Sequence, residues 1–428
     1  MHALPLSCLF CLALTAVAAA ESPPPGMVAV PGGSYKPLYA REAKPRRVAP
    51  FQLDIDPVTN AQFLDFVSRH PQWRRSRVSP AQADAAYLRH WAGDLDLGQA
   101  LPEAPVTHVS WHAARAYAAA CGRRLPDQDE WEFAARADAR RADASADPEF
   151  LRVLLEWYST PASKQPKPVQ QAPADVHGVR GLHGQVWEWV EDFNATLLVG
   201  DGRGDGAAQR DLFCGGASLL AADPGNYAAY MRYAFRASLR GHYCVGSLGF
   251  RTAAPRRAPP VAAAGAVTHL YDLAGDWLDQ DARPTELADL RGRVRVLSLG
   301  FTRCQSACPR TLADLQRIEA ALGADADRTG FVFLSIDPEH DQPPRLLEAM
   351  AERGMSPQRW TFLTAPDPVV REAAVLLDFQ YQWSEGFLAH SNLIAVLDAD
   401  GRVLHRDTAL GADLTPTIEA VRQALGRP

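Results

Sequence analysis

The chain has 428 residues, of which 47% are hydrophobic and 22% are charged, and its formal net charge is −6 at pH 7. Single hydrophobic cores rarely grow beyond about 250–300 residues, so this length predicts two or three domains. Charges of both signs are mixed along a slightly acidic chain. Such a chain lacks the basic surface that attracts nucleic acids or anionic membranes, so neither is an expected partner.

The first 20 residues are mostly apolar and end in small side chains, with Ala18 and Ala20 in an A-x-A arrangement. This stretch is too short to cross a bilayer and is typical of a secretory signal peptide. We expect cleavage after Ala20, export to the periplasm and no membrane span afterwards, with a retained anchor as the alternative. Only five of the seven cysteines then remain, so hydrophobic cores must hold the domains together.

The first domain, residues 27–254, is predicted to consist of short strands and loops with two clear helices. Ser110 is placed to cap a helix over Trp111–Ala120. Asp127 is placed to cap a second helix, with Glu130 completing a capping box. The low periodicity elsewhere favours an α+β domain that is rich in loops.

Several motifs of this domain resemble the formylglycine-generating enzyme family, also called the sulfatase-modifying factor family. They follow the family's order: Met27-Val-Ala-Val-Pro31-Gly-Gly-Ser34, Asp56-Pro-Val-Thr59-Asn60, Pro105-Val-Thr-His-Val-Ser110-Trp111, Gly122-Arg-Arg-Leu125-Pro126, Glu130-Trp131-Glu132, Gly184-Gln-Val-Trp187-Glu188-Trp189, Gly215-Gly216-Ala-Ser218 and Gly249-Phe250-Arg251. The resemblance implies a C-type-lectin-like α+β fold. A fold does not establish an activity by itself.

The cysteines that the active members of this family use are missing here. Those enzymes use a pair five residues apart, and alignment on Arg236 and Gly249-Phe-Arg251 places the two positions at Asp223 and Ala228. The resemblance therefore implies that the first domain is catalytically silent. An unrecognised oxidase activity of its own remains a less favoured alternative.

Other polar residues of the first domain are interpreted as structural. His108 and His112 have the i, i+4 spacing of a metal pair, but Ser110 between them predicts a strand–helix boundary. Cys214 and Cys244 lie near the family's core strands, and the resemblance suggests a disulfide between them.

A structural Ca²⁺ ion is a further implication of the resemblance. The family often holds this ion near a Gly-Asn-x-Trp-Glu-Trp motif through oxygen ligands. Here Gln185 stands where asparagine is usual, and Glu188 remains a candidate ligand. Asn194-Ala-Thr196 also matches the short N-glycosylation pattern.

A different domain is predicted after the proline- and alanine-rich stretch at residues 255–266, which is typical of an interdomain linker. The second domain, residues 267–428, alternates predicted strands and helices, which favours a mixed sheet with helices on both faces. The predicted strands are Val294–Leu299, Gly330–Ile336, Thr361–Leu363 and Leu393–Leu397, and the predicted helices are Pro309–Leu322, Pro344–Arg353 and Pro368–Leu377.

The segment Cys304-Gln-Ser-Ala-Cys308-Pro309 places two thiols between the first of these strands and the helix that follows. A helix N-terminus favours a thiolate over a thiol, so we expect reactive sulfurs here. A pair of thiolates is suited either to redox chemistry or to binding a soft metal. A structural disulfide is the third, less favoured interpretation.

Three motifs of this domain resemble the Sco/SenC family of copper-handling proteins and imply a thioredoxin-like fold over residues 267–428. They are Gly292-Arg-Val-Arg-Val-Leu-Ser-Leu-Gly-Phe301-Thr-Arg-Cys304-Gln-Ser-Ala-Cys308-Pro309, Leu334-Ser-Ile-Asp337-Pro338-Glu-His-Asp341 and Gly386-Phe-Leu-Ala-His390-Ser391. In that family two cysteines and the histidine before serine bind copper, which here implies Cys304, Cys308 and His390. We expect His390 in a loop just before the last strand, folding back over the dithiol.

The resemblance implies a copper metallochaperone whose client is a copper enzyme, either the CuA subunit of cytochrome oxidase or copper nitrite reductase. The first domain would then recognise the client. The alternative is a periplasmic thiol–disulfide oxidoreductase that uses Cys304 and Cys308 to keep the client's cysteines reduced. His390 distinguishes the two, because a reductase needs only the cysteines.

Overall fold

The structure is a computed structural model that describes residues 23–37, 45–160, 166–195, 227–256, 267–305, 307–384 and 387–426. The predicted signal peptide and residues 257–266 of the predicted linker lie outside the described residues. Over the described ranges, no helix has both the length and the hydropathy that a membrane span requires.

The first domain contains short strands that pair two by two. β1 pairs with β4 and β2 with β3 in antiparallel fashion, whereas β5 and β6 are parallel. The strands are β1 (Met27–Val30), β2 (Gly33–Tyr35), β3 (Arg46–Val48), β4 (Phe51–Asp54), β5 (Trp187–Trp189) and β6 (Leu248–Phe250). Strands this short leave most of the domain to loops, as predicted.

The helices of the first domain are α1 (Asn60–Arg69), α2 (Trp111–Ala120), α3 (Gln128–Ala134), α4 (Pro148–Ser159) and α5 (Tyr227–Ala237). Both predicted caps are confirmed. Ser110 Oγ accepts a hydrogen bond from the Ala113 N–H at the start of α2. Asp127 and Glu130 form the capping box at the start of α3.

Buried ion pairs lie inside this domain among its tryptophans and phenylalanines. The guanidinium of Arg251 binds both carboxylate oxygens of Glu188, and both side chains are fully buried. Trp131 Nε1 donates to Glu188 at 2.7 Å. Charges removed from water in this way need complete pairing, so these contacts fix how the surrounding loops pack.

The second domain is built on a seven-stranded mixed sheet in the order β15-β14-β9-β10-β11-β7-β8. The three central strands β9, β10 and β11 are parallel, and the outer strands are antiparallel to their neighbours. The strands are β7 (Trp277–Asp279), β8 (Pro284–Thr285), β9 (Val294–Gly300), β10 (Thr329–Ser335), β11 (Trp360–Thr364), β14 (Ile394–Leu397) and β15 (Val403–Asp407). A separate hairpin consists of β12 (Tyr381–Ser384) and β13 (Phe387–His390).

Among the described residues of this domain, four helices cover the sheet: α6 (Ala307–Leu322), α7 (Pro343–Glu352), α8 (Asp367–Leu376) and α9 (Thr415–Ala424). Successive residues of a strand point to opposite faces. Accordingly, Leu297 and Leu299 join the core that includes α8, whereas Val294 and Val296 join the core that includes α6, α7 and α9. The predicted mixed sheet with helices on both faces is confirmed.

The sequence did not predict β7, β8, the β12–β13 hairpin, β15 or α9. The two-to-four-residue strands are too short for a clear period-2 pattern. The expected position of His390 was wrong in detail. This residue ends strand β13, and β14 is followed by a further strand, β15.

The two domains pack directly against each other through helix α8. Val375 of this helix is buried in the hydrophobic core of the first domain. A Cβ atom on Gly241 of the first domain would lie 2.3 Å from Val375 Cγ1, so the contact requires glycine there. Arg115 Nη1 of the first domain donates to Glu372 on α8 at 2.5 Å. This interface lies directly before the hairpin that contains His390.

Candidate metal centre

The three residues predicted as metal ligands lie together in the fold. The Sγ atoms of Cys304 and Cys308 and a ring nitrogen of His390 are all within 4.8 Å of one another. Cys308 Sγ lies 3.2 Å from His390 Nε2. The structure therefore brings together residues from the β9–α6 turn and from the β12–β13 hairpin.

The turn after β9 sets the positions of the two sulfurs. Cys308 occupies the first turn of α6, and its N–H donates to Cys304 Sγ at 3.4 Å. The Phe301 N–H donates to Cys308 Sγ at 3.5 Å. A Cβ atom on Gly300 would lie 2.8 Å from Cys308 Sγ. Glycine at the end of β9 thus leaves the space in which the buried thiol lies.

The hydrogen bonds of His390 select the nitrogen that faces the sulfurs. Its Nδ1 lies 2.7 Å from the carbonyl oxygen of Ser391, which can only accept a hydrogen bond. Nδ1 therefore bears the proton in the neutral ring, and Nε2 presents its lone pair towards Cys308. The imidazole meets the Phe301 ring edge to face and stacks on the Phe379 ring, each with its centroid 5.7 Å away.

The protonation of Cys308 differs from what the sequence suggested. The hydrogen bond with Cys304 raises the pKa of the Cys308 thiol most, and burial raises it further. These effects outweigh the expected stabilisation of a thiolate by the helix start, because desolvation beside a second sulfur disfavours added negative charge. Without metal, Cys308 is therefore held as a thiol.

A buried carboxylate supports the loop that precedes the cysteines. Asp341 accepts hydrogen bonds from the Thr302 N–H at 2.9 Å, the Thr302 hydroxyl at 2.5 Å and Ser335 Oγ at 2.6 Å. Asp341 lies in one of the motifs that resemble the Sco/SenC family, but its hydrogen bonds from Thr302 and Ser335 were not predicted. Their hydroxyls at strand ends were the available signal, although such residues are common in any loop.

This donor set fits copper chemically. Thiolates and imidazole are the ligands that soft Cu(I) prefers, and three of them complete a three-coordinate site. A structural zinc site usually has four ligands. Only this group of three or more metal-binding side chains is found within the described parts of the chain.

The first domain presents a different picture at its predicted sites. Both oxygens of Glu188 already bind Arg251, so a Ca²⁺ ion would have to displace a buried guanidinium. Ala228 is buried in α5, and Asp223 and Cys214 lie outside the described residues. His112 lies on α2, whereas His108 precedes its cap in a left-handed conformation with φ of 54°.

Comparison with known proteins matches the two parts of the chain to two different families. Residues 14–256 match the family model of the sulfatase-modifying factor enzyme 1-like domain, and residues 271–425 match the SCO1/SenC model. The formylglycine-generating enzyme of Streptomyces coelicolor is 31% identical over 250 residues, covering 48% of this chain and 79% of that protein. The inactive C-alpha-formylglycine-generating enzyme 2 of Mus musculus is 31% identical over 212 residues, covering 39% and 68% respectively.

Other matches are partial. Serine/threonine-protein kinase pkn1 of Chlamydia caviae is 28% identical, and the match covers 33% of this chain but only 23% of that kinase. The solved structure of Bradyrhizobium japonicum ScoI with copper bound aligns with 36% of this chain and 97% of its own, at 22% identity and a TM-score of 0.31. On the strength of the first family match, this chain belongs to the sulfatase-modifying factor enzyme 1-like family, and it joins that domain to a SCO1/SenC domain in one polypeptide.

Proposed function

We propose that this protein binds one copper ion through Cys304, Cys308 and His390 and delivers it to a copper enzyme. The observation that supports this most directly is the approach of two sulfurs and one imidazole nitrogen to within 4.8 Å of one another. The match of residues 271–425 to the SCO1/SenC model supports the same assignment.

The three side chains differ in ways that suit a transferable cargo. Cys308 is buried, whereas Cys304 and His390 are partly exposed. A client's ligand would therefore approach from the side of Cys304 and His390, while the buried Cys308 holds the ion from the interior of the domain. Two thiols must release protons when copper binds, so binding weakens as the pH falls.

A second candidate function uses the same dithiol. No disulfide joins the two described cysteines of the site, but their Sγ atoms lie within 4.8 Å of each other. Closing a disulfide between them would release two electrons and two protons, which would convert a client's disulfide into two thiols. His390 is not required for that reaction.

The client is proposed to be the CuA subunit of a cytochrome oxidase or a copper nitrite reductase, and the first domain is proposed to recognise it without catalysing a reaction. Ala228 stands at one of the positions where the active enzymes of this family need cysteine, which supports a first domain without catalytic activity. The apolar N-terminal segment supports export to the periplasm.

Metal reconstitution tests the proposal. We expect the purified full chain to bind one Cu(I) per molecule and Cys304→Ser or Cys308→Ser to abolish tight binding. Cys121→Ser, which changes an exposed cysteine of the first domain, is the matched control and should retain one copper. Retention of one tightly bound copper by both site variants would refute the assignment.

A further inference from the structure

We propose that Asn194 of the first domain is a positioning residue for His390, so that the first domain helps to assemble the metal site of the second. This inference rests on the proposed copper function, because it concerns a ligand of that site. Asn194 contacts neither sulfur nor imidazole, and acts through the segment that leads into the hairpin.

The segment Leu377–Gln380 joins helix α8 to the His390 hairpin. Its last three residues, Asp378–Gln380, each form a hydrogen bond with the first domain. The contacts are Arg240 Nη1 to Asp378 Oδ2 at 3.2 Å, Asn194 Nδ2 to the Phe379 carbonyl at 3.2 Å and Gln380 Nε2 to the Ala237 carbonyl at 3.4 Å. The first domain thus contacts three of the four residues of the connection.

The contact of Asn194 is the buried one of the three. Asn194 is 3% exposed and lies in the short turn Phe193–Ala195. Its Oδ1 accepts from Arg371 Nη1 of helix α8 at 3.1 Å. Because a guanidinium only donates, this bond orients the amide so that Nδ2 faces the Phe379 carbonyl. A side chain committed in this way cannot receive a glycan in the folded protein.

Two routes connect Phe379 and its neighbours to His390. The Phe379 ring stacks on the imidazole with an interplanar angle of 24°. On the backbone, the Ser391 N–H donates to the Gln380 carbonyl at 2.8 Å, and Ser391 Oγ accepts from the Gln380 N–H at 3.0 Å. The Ser391 carbonyl is also the acceptor for His390 Nδ1. Movement of Phe379 would therefore disturb both the ring that stacks on the imidazole and, through Gln380 and Ser391, the carbonyl that binds Nδ1.

Arg371 of the second domain contacts both Asn194 and the start of the hairpin. Its guanidinium lies 4.4 Å from the centroid of the Tyr381 ring, and Tyr381 pairs with His390 in the β12–β13 register. Asn194 therefore bridges the Arg371 side chain, which packs on β12, and the Phe379 carbonyl, which lies two residues before that strand. Loss of the amide would release Phe379 and leave a buried carbonyl without that partner, which is unfavourable.

The test compares Asn194→Ala and Asn194→Asp with Asn60→Ala in the full chain. Asn60 is a matched control because it is also a buried asparagine of the first domain, with hydrogen bonds to Leu101, Ala104 and Trp91 inside that domain. Asn194→Asp keeps an acceptor for Arg371 but removes the donor to Phe379, so it is the variant to use if Asn194→Ala does not fold.

Two readouts are measured: amide hydrogen exchange of residues 379–390 in the metal-free protein, and Cu(I) affinity by competition with a chromogenic chelator. We expect both Asn194 variants to exchange faster in this segment and to bind Cu(I) about tenfold more weakly, as for other residues that orient a metal ligand. Asn60→Ala should leave both readouts at the wild-type value.

Wild-type exchange in the Asn194 variants would overturn the inference, and so would faster exchange with unchanged copper affinity. An equal effect of Asn60→Ala would also overturn it, because the cause would then be general loss of stability. If the wild-type protein itself does not bind Cu(I), the proposed function fails separately. Hydrogen exchange of the segment then decides alone whether Asn194 holds the hairpin.

Discussion

Cys308 Sγ lies 3.2 Å from His390 Nε2, although the two residues are 82 positions apart in the chain. The contact depends on two independent supports. On one side, the absence of a side chain at Gly300 makes room for the sulfur. On the other, the Ser391 carbonyl and the flanking aromatic rings orient the imidazole. Each support leads to a measurable expectation.

Replacing the imidazole should separate copper binding from thiol chemistry. We expect His390→Ala to weaken Cu(I) binding by at least about 100-fold, since it removes one of three ligands rather than an outer-shell partner. The reaction of Cys304 and Cys308 with a disulfide reagent should be largely unchanged. Chelator competition and thiol titration measure the two properties.

The matched control for this experiment is His405→Ala on strand β15, which removes a histidine outside the ligand group. It should bind Cu(I) with wild-type affinity. Equal affinity of His390→Ala and the wild type would eliminate the imidazole as a ligand and favour the oxidoreductase function.

The affinity for Cu(I) should rise with pH. The hydrogen bond with Cys304 and burial raise the pKa of Cys308, so copper must displace a proton from this thiol near neutral pH. Each displaced proton strengthens binding about tenfold per pH unit between about pH 6 and 8. Competition titrations at several pH values give the slope. A flat profile in the wild type would contradict the protonated thiol.

A methyl group at Gly300 should disturb the site from within. In Gly300→Ala the new Cβ would lie 2.8 Å from Cys308 Sγ and 3.0 Å from Phe333 Cε2. Overpacking of this kind destabilises a core by about 1–3 kcal/mol, and we expect a matching loss in denaturant unfolding together with weaker copper binding. At Gly93 the nearest contact of a Cβ would be an ordinary 3.6 Å. Gly93→Ala should therefore change neither stability nor copper binding. Wild-type behaviour of Gly300→Ala would show that the Cys308 sulfur can shift away from the new methyl group without cost.

Loss of the largely buried interdomain ion pair of Arg115 and Glu372 should loosen the two domains. Arg115 binds Glu191 of its own domain at 2.9 Å and Glu372 of helix α8 at 2.5 Å, and its side chain is only 17% exposed. Removing charge-assisted hydrogen bonds of this kind destabilises by roughly 1–3 kcal/mol. We expect Arg115→Ala to increase the radius of gyration in small-angle scattering and to speed proteolysis between the domains.

The control for Arg115 is Arg152→Ala on helix α4. Arg152 is 61% exposed and pairs only along its own helix in the contacts described, with Glu149 and Glu156. Exposed pairs contribute little, so this variant should resemble the wild type. Unchanged scattering and proteolysis in Arg115→Ala would show that the other interdomain contacts, among them those of Val375 and Asn194, suffice to hold the domains.

Calcium should not stabilise the first domain at Glu188. Because Arg251 and Trp131 already occupy both oxygens of this buried carboxylate, we expect the same melting temperature with Ca²⁺, with Mg²⁺ and with a chelator. Differential scanning calorimetry measures this directly. A rise in melting temperature that is specific to Ca²⁺ would show that the domain binds this ion with other ligands.

Long elements and their caps were predictable because their signals are local. Helix α2 has its predicted bounds, and the capping box of α3 is present. Strands β9, β10 and β11 were found within one residue or so because buried parallel strands appear as continuous apolar runs. The β12–β13 hairpin was missed, because four-residue strands give too few positions to establish alternation.

The three candidate ligands were predictable for a different reason. Cys304 and Cys308 are near neighbours in sequence, and His390 was named only because the sequence motif around it resembles a family. Nothing in the local sequence indicates that the Cys308 thiol is held protonated. That property arises from burial and from the position of the neighbouring sulfur, which only the fold determines.

The sequence by itself determined two domains of different type, the dithiol at a strand–helix turn and the absence of a cysteine at Ala228. Only the tertiary structure decided that helix α8 inserts Val375 into the first domain and that Asn194 binds the carbonyl of Phe379. The physical reason is that hydrophobic periodicity and capping act over a few residues. Packing between domains depends on shape and on hydrogen bonds between residues nearly 200 positions apart, such as Asn194 and Phe379, whose separation is 185.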